Sequence, residues 1–469
     1  MKKDYLLDLR EGRDLPLPAQ LKLIAQLSVP AILAEISTIV MEYIDASMVG
    51  RLGGSQAASI GLVSSSTWLF GGVCRGLTIG FTVLGAQSIG ARDEKKARDI
   101  MKHGYLVSIL VTLLGLIIAA SISGILPVWL GGGEDIVKDA SAYFLIFAIG
   151  LPIRVNNGLT GSLLQASGNM KTPGLLHVMC CFLDIICNCI FIFPGTDILG
   201  LHIPGFGLGV AGAALGTTAA ETITLLCMLY SLLIKSPMLR LRKEKTEYSK
   251  DIFRRGIRIS LPVCAENFIV TFAQLIYMKI VAPLGTIAIA AHSFAITAES
   301  LCYMPGYGVN AAATTLVGQS VGAGRDKMTK RLSWLSVLTG MAVMTLSGLA
   351  MYIFAPAMIG ILSPDPEIVS LGSEVLRIEA WAEPLFAASI VCSGVFRGEG
   401  DTLVPTVLSM CTMWFIRIPA AALLAPRFGL HGVWVAMAAE LSAKGIVFLI
   451  RLALKGHDRG EFHFRRRQA

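Results

Sequence analysis

Twelve runs of about 20 or more mostly apolar residues dominate this chain, each long enough to cross a hydrocarbon core of about 30 Å as a helix. They cover roughly 22–50, 58–89, 103–126, 139–162, 173–194, 210–234, 256–283, 288–318, 332–355, 367–395, 404–426 and 430–454. The expected fold class is an all-α integral membrane protein. Composition agrees, because only 15% of the 469 residues are charged, against about 25% in soluble domains. That excludes a disordered chain, a disulfide-rich secreted domain and a soluble enzyme. No connection between runs is long enough for a soluble domain, and no independent sheet domain is expected. The first twenty residues are charged and lack an apolar core before a small-residue cleavage site, so no signal peptide is expected.

Basic residues give the orientation, since Lys and Arg accumulate in cytoplasmic loops. The termini and every second loop carry 29 of them, and the alternate loops carry only Arg51, Lys138 and Arg427. Both termini and the linker 235–255 are therefore expected in the cytoplasm, facing anionic lipid headgroups. The net charge of +8 is read as this topology signal and not as a nucleic-acid footprint. The ten cysteines sit in apolar runs without a CxxC pair, so they read as small buried hydrophobes rather than a disulfide frame or zinc site.

The two halves repeat at a constant shift of 232 residues. GAQSIGA (85–91) answers VGQSVGA (317–323), and LLQASGNMKTP (163–173) answers VFRGEGDTLVP (395–405). Pro30 and Leu52-Gly53 answer Pro262 and Leu284-Gly285. Six spans in each half place both repeats the same way up in the membrane, one plan of secondary transporters. The expected units are a first lobe at 1–234, the linker at 235–255, a second lobe at 256–454 and a basic tail at 455–469.

Several of these blocks resemble a known family. Pro30 and Asp45 in the first span stand in a P-x14-D spacing, followed by MVGRLG (48–53). Together with the paired QS-x-G-A blocks, LLQASGNMKTP, WFIRIP (414–419) and GVAGAALGTT (209–218), they resemble a multidrug and toxic compound extrusion (MATE) transporter over residues 20–454. The resemblance implies twelve helices in two lobes and export of cationic amphiphilic compounds, driven by inward H+ or Na+ flow. It also implies a multi-pass protein of the bacterial cytoplasmic membrane.

Ionisable groups inside a bilayer are costly and usually mark ion or substrate paths. Glu35 and Glu42 are seven residues apart and share a helix face within about 20°, with Asp45 three residues further. Three such carboxylates cannot all stay ionised without a cation or proton among them. Pro30 removes a helix hydrogen bond. Whether the resulting kink is static or moves stays open on the residues alone, and the resemblance implies a proton-driven bend there. In the fifth span Asp184 and Asn188 lie one turn apart, in the reverse order to many family members. Thr217 falls where the family places a threonine. The expected cluster is Asp45, Asp184, Asn188 and Thr217, against the alternative of a structural hydrogen-bond network. Such oxygens suit Na+ as well as H+, and the crowded acids favour H+; no other cofactor or metal is expected.

In the second half, Glu266, Gln274, Tyr277, Glu299, Glu379, Glu383 and Trp381 are candidate cavity residues. Glu374 with Arg377, and Glu440 with Lys444, have the spacing of helix pairs. His292 is expected to be structural, and Arg154 and Arg417 to pair with acids or snorkel. The expected partners are small organic substrates and the lipid bilayer, with a monomer as the working form. No G-x-x-x-x-G-K-[ST] motif occurs, which leaves no nucleotide motor on the chain. A lipid-linked oligosaccharide flippase is the alternative within the superfamily. A membrane prenyltransferase would need paired Asp-rich motifs for Mg2+, and the acids here are scattered.

Overall fold

The computed structural model describes residues 5–198, 201–242 and 248–455. Lys2, Lys3, two linker lysines and the tail beyond Lys455 lie outside the described residues. A short helix α1 (Tyr5–Arg10) precedes the first six spans. These are α2 (Leu17–Gly50), α3 (Gly54–Gly76) continued by α4 (Ile79–Gly90), α5 (Glu94–Ile122), then the one-turn α6 (Leu126–Trp129), α7 (Glu134–Ala166), α8 (Lys171–Ile192), and α9 (Gly209–Tyr230). A hairpin of β1 (Gly195–Ile198) and β2 (Leu201–Pro204), antiparallel with Gly195 opposite Pro204, joins α8 to α9. Hydropathy does not foretell it.

The second six are α10 (Lys250–Val281), α11 (Thr286–Gly322), α12 (Asp326–Leu362), α13 (Pro366–Ala380) with α14 (Glu383–Glu399), α15 (Leu403–Thr412), and α16 (Ile418–Lys455). Among the described residues, ten helical segments are long and apolar enough to span a membrane. The other two of the twelve spans have identifiable reasons for escaping that test. One is broken at Trp381–Ala382 into α13 and α14 of 15 and 17 residues. The last pair abuts without a loop, the chain turning at Gly429, whose φ of 57° breaks the helix. The protein is thus an all-α integral membrane protein of twelve transmembrane helices in two pseudo-symmetric lobes. Helix α10 starts at Lys250, within the segment 235–255 expected as the linker.

The duplication reaches the backbone. Gly53 and Gly285 both take positive φ before a helix, at 140° and 99°, and Gly168 and Gly400 both take it after one, at 91° and 88°. Such angles cost little only for glycine. Each lobe has its own apolar core, with Phe144, Phe147 and Leu151 in the first and Val375, Leu376 and Trp434 in the second.

The lobes meet closely on the face that carries both ends of the described chain, called here the terminal face. There a Cβ on Gly90 would overlap the Gln319 carbonyl, and a Cβ on Gly322 would overlap the Gln87 carbonyl. The two glutamines close the seam: the Gln87 amide donates to Gly398 O at 2.9 Å, and the Gln319 amide to Ala166 O at 2.6 Å. Deeper in, Gly308 lies against the backbone of Ile32, and Gly76 against that of Cys264. Each is the other pair's equivalent at the 232-residue shift.

Candidate functional site

Helices α2, α8 and α9 are mostly apolar, and four of their polar side chains, Asp45, Asp184, Asn188 and Thr217, come together in the lobe. Asn188 sits at the centre, fully buried. Its amide nitrogen donates one hydrogen to Asp45 Oδ1 at 2.6 Å and one to Asp184 Oδ2 at 2.9 Å. The Thr217 hydroxyl lies 3.1 Å from Ala213 O and 3.4 Å from Asp45 Oδ2. Asn188 thus links the Asp45 and Asp184 carboxyls, one on each hydrogen of its amide.

Two acceptors at this centre have no partner among the described residues, Asp184 Oδ1 and Asn188 Oδ1. An unpaired buried acceptor costs about 1–3 kcal/mol, so the site as drawn is stabilised by anything that brings a positive charge or a hydrogen to it. Asp45 is only half-buried. It forms the accessible edge of an otherwise closed cluster. A Cβ on Gly216 would overlap Asn188 Oδ1 and stand 3.1 Å from Asn188 Cγ. Only a glycine there lets the amide reach both carboxyls.

The other acids of α2 are placed differently from the expected trio. Glu35 is half-buried and Glu42 exposed, and the cation facing both is Arg75 on α3, joined for Glu42 by Arg154. Asp45 is linked through Asn188 to the Asp184 carboxyl of α8. Pro30 lies inside α2, and its carbonyl is in close contact with Gly174 of α8. Arg154 pairs with Glu221, its Nε lying 3.1 and 2.9 Å from the two carboxylate oxygens.

The second lobe holds a separate acidic group. Glu299, Glu379 and Glu383 are all buried, and neither oxygen of Glu379 receives a hydrogen bond. Arg417 is the cation that faces Glu299 and Glu379, but it is committed to Glu440 at 2.7 Å. Tyr277 is buried and donates to Val433 O at 2.7 Å, which makes it part of the lobe interior. Glu266 accepts from Thr406 at 3.1 Å and lies 3.7 Å from Arg397. Gln274 is exposed on α10.

Some readings need correction. Trp381 is 79% exposed and edge-on to Tyr352 of α12, whereas Glu379 and Glu383 are fully buried. A residue midway between two i,i+4 positions points to the opposite side of a helix. Glu440 pairs with Arg417 and accepts from Thr412 at 2.6 Å rather than relying on Lys444. Glu374 meets His431 at 2.7 Å, while Arg377 lies over the Tyr352 ring. Spacing along one helix is a weak pull, about 0.2–0.5 kcal/mol, and a partner from another helix outweighs it. His292 accepts from the Trp434 indole at 3.1 Å, a structural arrangement. Sequence reasoning missed Gly216 and the carbonyl targets of Gln87 and Gln319. Their only signals were the GVAGAALGTT block and the repeated QS-x-G-A block.

Among the described residues, no cluster of His, Cys, Asp and Glu has the form of a metal site. Comparison with known proteins gives a consistent answer. A multidrug resistance protein NorM of Thermotoga maritima, described as probable, is 26% identical over 442 residues, covering 92% of this chain and 91% of that protein. A multidrug resistance protein MdtK of Yersinia pestis is 24% identical over 451 residues, covering 91% and 93%. A crystal structure of a MATE in complex with MaL6 superimposes with a TM-score of 0.88 at 20% identity, over 97% of this chain and 99% of that one. The MatE family model matches residues 30–190 and again 262–423, two copies offset by the same 232 residues at their starts, and the chain therefore belongs to the MatE family.

Proposed function

We propose that this protein is a cation-coupled antiporter, driven by H+, that exports organic cations from a bacterial cytoplasm by alternating access. The observation that carries the reading is the Asp45–Asn188–Asp184 chain, with two unpartnered acceptor oxygens at its buried end. Loading a proton there neutralises a crowded pair of carboxyls. Losing it restores a charge that the lobe interior solvates poorly. A group with that property favours different surroundings in its two states, which is what coupling requires. Pro30 gives α2 a weak point between the Asp45 site and the terminal face, where α2 bends as the charge changes. The two bodies that rock are 1–234 and 256–454, joined by 235–255, with both termini in the cytoplasm and one chain as the working unit. The relatives named as multidrug resistance proteins match along nearly their whole length, which supports export rather than catalysis.

Everted membrane vesicles test the reading. Adding a lipophilic cation such as ethidium should collapse an imposed proton gradient, and Asp45→Asn should abolish that response. Full coupled export by Asp45→Asn refutes the role of this carboxyl. The oxygen-only ligand set also suits Na+. A Na+ gradient at fixed pH that drives export, with no response to a proton gradient, replaces H+ by Na+ in the proposal.

A further inference from the structure

Residues 5–16 lie across the seam of the two lobes on the terminal face. The segment is continuous with α2 of the first lobe, yet it is held from both sides. Arg10 reaches three parts of the molecule: Nε donates to Gln319 Oε1 of the second lobe at 3.1 Å, Nη2 to Ser167 O of the first at 3.0 Å, and Nη1 lies 3.3 Å from Met238 Sδ of the linker. From the second lobe, Arg325 donates to Arg13 O at 2.5 Å and pairs with Asp14. From the first, Arg92 donates to Arg10 O at 3.2 Å and lies 3.7 Å from Glu11. Leu6 and Leu9 are buried in one cluster with Met170 of the first lobe and Leu316 and Met328 of the second.

A six-residue helix has no stability of its own, so this order comes from what it grips. Gln319 is the link between the strap and the seam, because it accepts from Arg10 while its amide donates to Ala166 O across the lobes. Separation of the lobes at this face must break the Arg10–Gln319 and Arg325–Asp14 contacts together and expose Leu9, which is wholly buried here. We propose that residues 5–16 form a latch that holds the terminal face shut, and that its release from the second lobe is a step in every opening of that face. The inference rests on the reading of two rocking lobes. It does not depend on the coupling ion or the substrate. Because one helix carries Asp45 at one end and the latch at the other, loading the ion site and releasing the latch act on the same body.

The test uses the full chain in lipid nanodiscs, with nitroxides on genetically encoded residues replacing the exposed Lys171 and Lys327, one on each lobe, and distances measured by double electron–electron resonance. Arg10→Met and Arg325→Gln should each raise the ratio of long to short distances about tenfold, the scale of one charge-assisted hydrogen bond. A disulfide formed in Asp14→Cys/Arg325→Cys should remove the long distances, and reductant should return them. Unchanged ratios in both single variants, eluting as monodisperse protein, overturn the latch. So does a long-distance population that survives the disulfide. Vesicle transport by Asp45→Asn bears on the function and leaves these distances as an independent result.

Discussion

Gly216→Ala is the sharpest perturbation of the ion site, because it changes no polar group. The added methyl overlaps Asn188 Oδ1 and stands 3.1 Å from Asn188 Cγ, well short of the roughly 3.5–4.0 Å of relaxed contact. α9 and α8 are in close contact there, with Gly212 also against the backbone of Phe191, so the backbones cannot part easily and the side chain must swing away. Swinging breaks the 2.6 Å bond to Asp45 and the 2.9 Å bond to Asp184. Hydrogen bonds to charged groups contribute about 1.5–3 kcal/mol each; they favour the ionised carboxylates, so loss of one already means proton binding tighter by roughly tenfold or more. The assay is the proton-gradient dependence of ethidium uptake into everted vesicles, whose lumen corresponds to the cell exterior. The proton concentration that gives half-maximal transport should fall roughly tenfold, with the protein still inserted and monodisperse. Gly216→Ser should behave the same way. Wild-type gradient dependence in both variants would refute the claim that Asn188 must bridge the two carboxyls.

Three further outcomes follow from contacts already described. Gly322→Val drives a branched side chain into the Gln87 carbonyl; overpacking of this kind costs about 1–3 kcal/mol and should shift the lobes towards separation at the terminal face, read as greater protease sensitivity of the linker. Arg417→Met alone strands the buried Glu440 carboxylate and should destabilise by about 3–5 kcal/mol, whereas Arg417→Met/Glu440→Leu should recover most of that in detergent unfolding. Burial opposes ionisation of Asp401, but hydrogen bonds and charge from Arg451 and Lys455 outweigh it and hold its carboxyl below the usual range. Its contribution to stability is therefore present above the ordinary Asp value and lost as pH falls through the lowered one. Melting temperature should fall less steeply with acid in Asp401→Asn than in the parent.

Much of the architecture was legible because lipid leaves so few choices. Runs such as 103–126 could only be spans, and the 232-residue repeat fixed how the halves relate. Asp45, Asp184, Asn188 and Thr217 come together because these four positions of α2, α8 and α9 face one another, whereas Glu42 of the same α2 is exposed. What spacing could not give was the choice of partner. Glu440 looks towards Lys444 along its own helix, yet Arg417 sits across from its buried carboxylate, where the stronger electrostatics decide. Trp381 falls at a break between α13 and α14 that Pro384, at the second residue of α14, announces in the sequence and that the reading of one continuous span over 367–395 passes over. The strap was unreadable for another reason: six residues are too few for a helical periodicity to show, and its order depends on Gln319 and Arg325, more than 300 positions away.

The seam has one more consequence. Each half presents the same ridge and the same groove, Gly90 beneath Gln319 and Gly322 beneath Gln87, so two copies of a single half would match each other almost as well as the natural pair does. An ancestral six-helix protein could have assembled as a homodimer through this surface. In the present molecule both halves belong to one chain, and α1, for which no counterpart in the second half is described, marks which side is which.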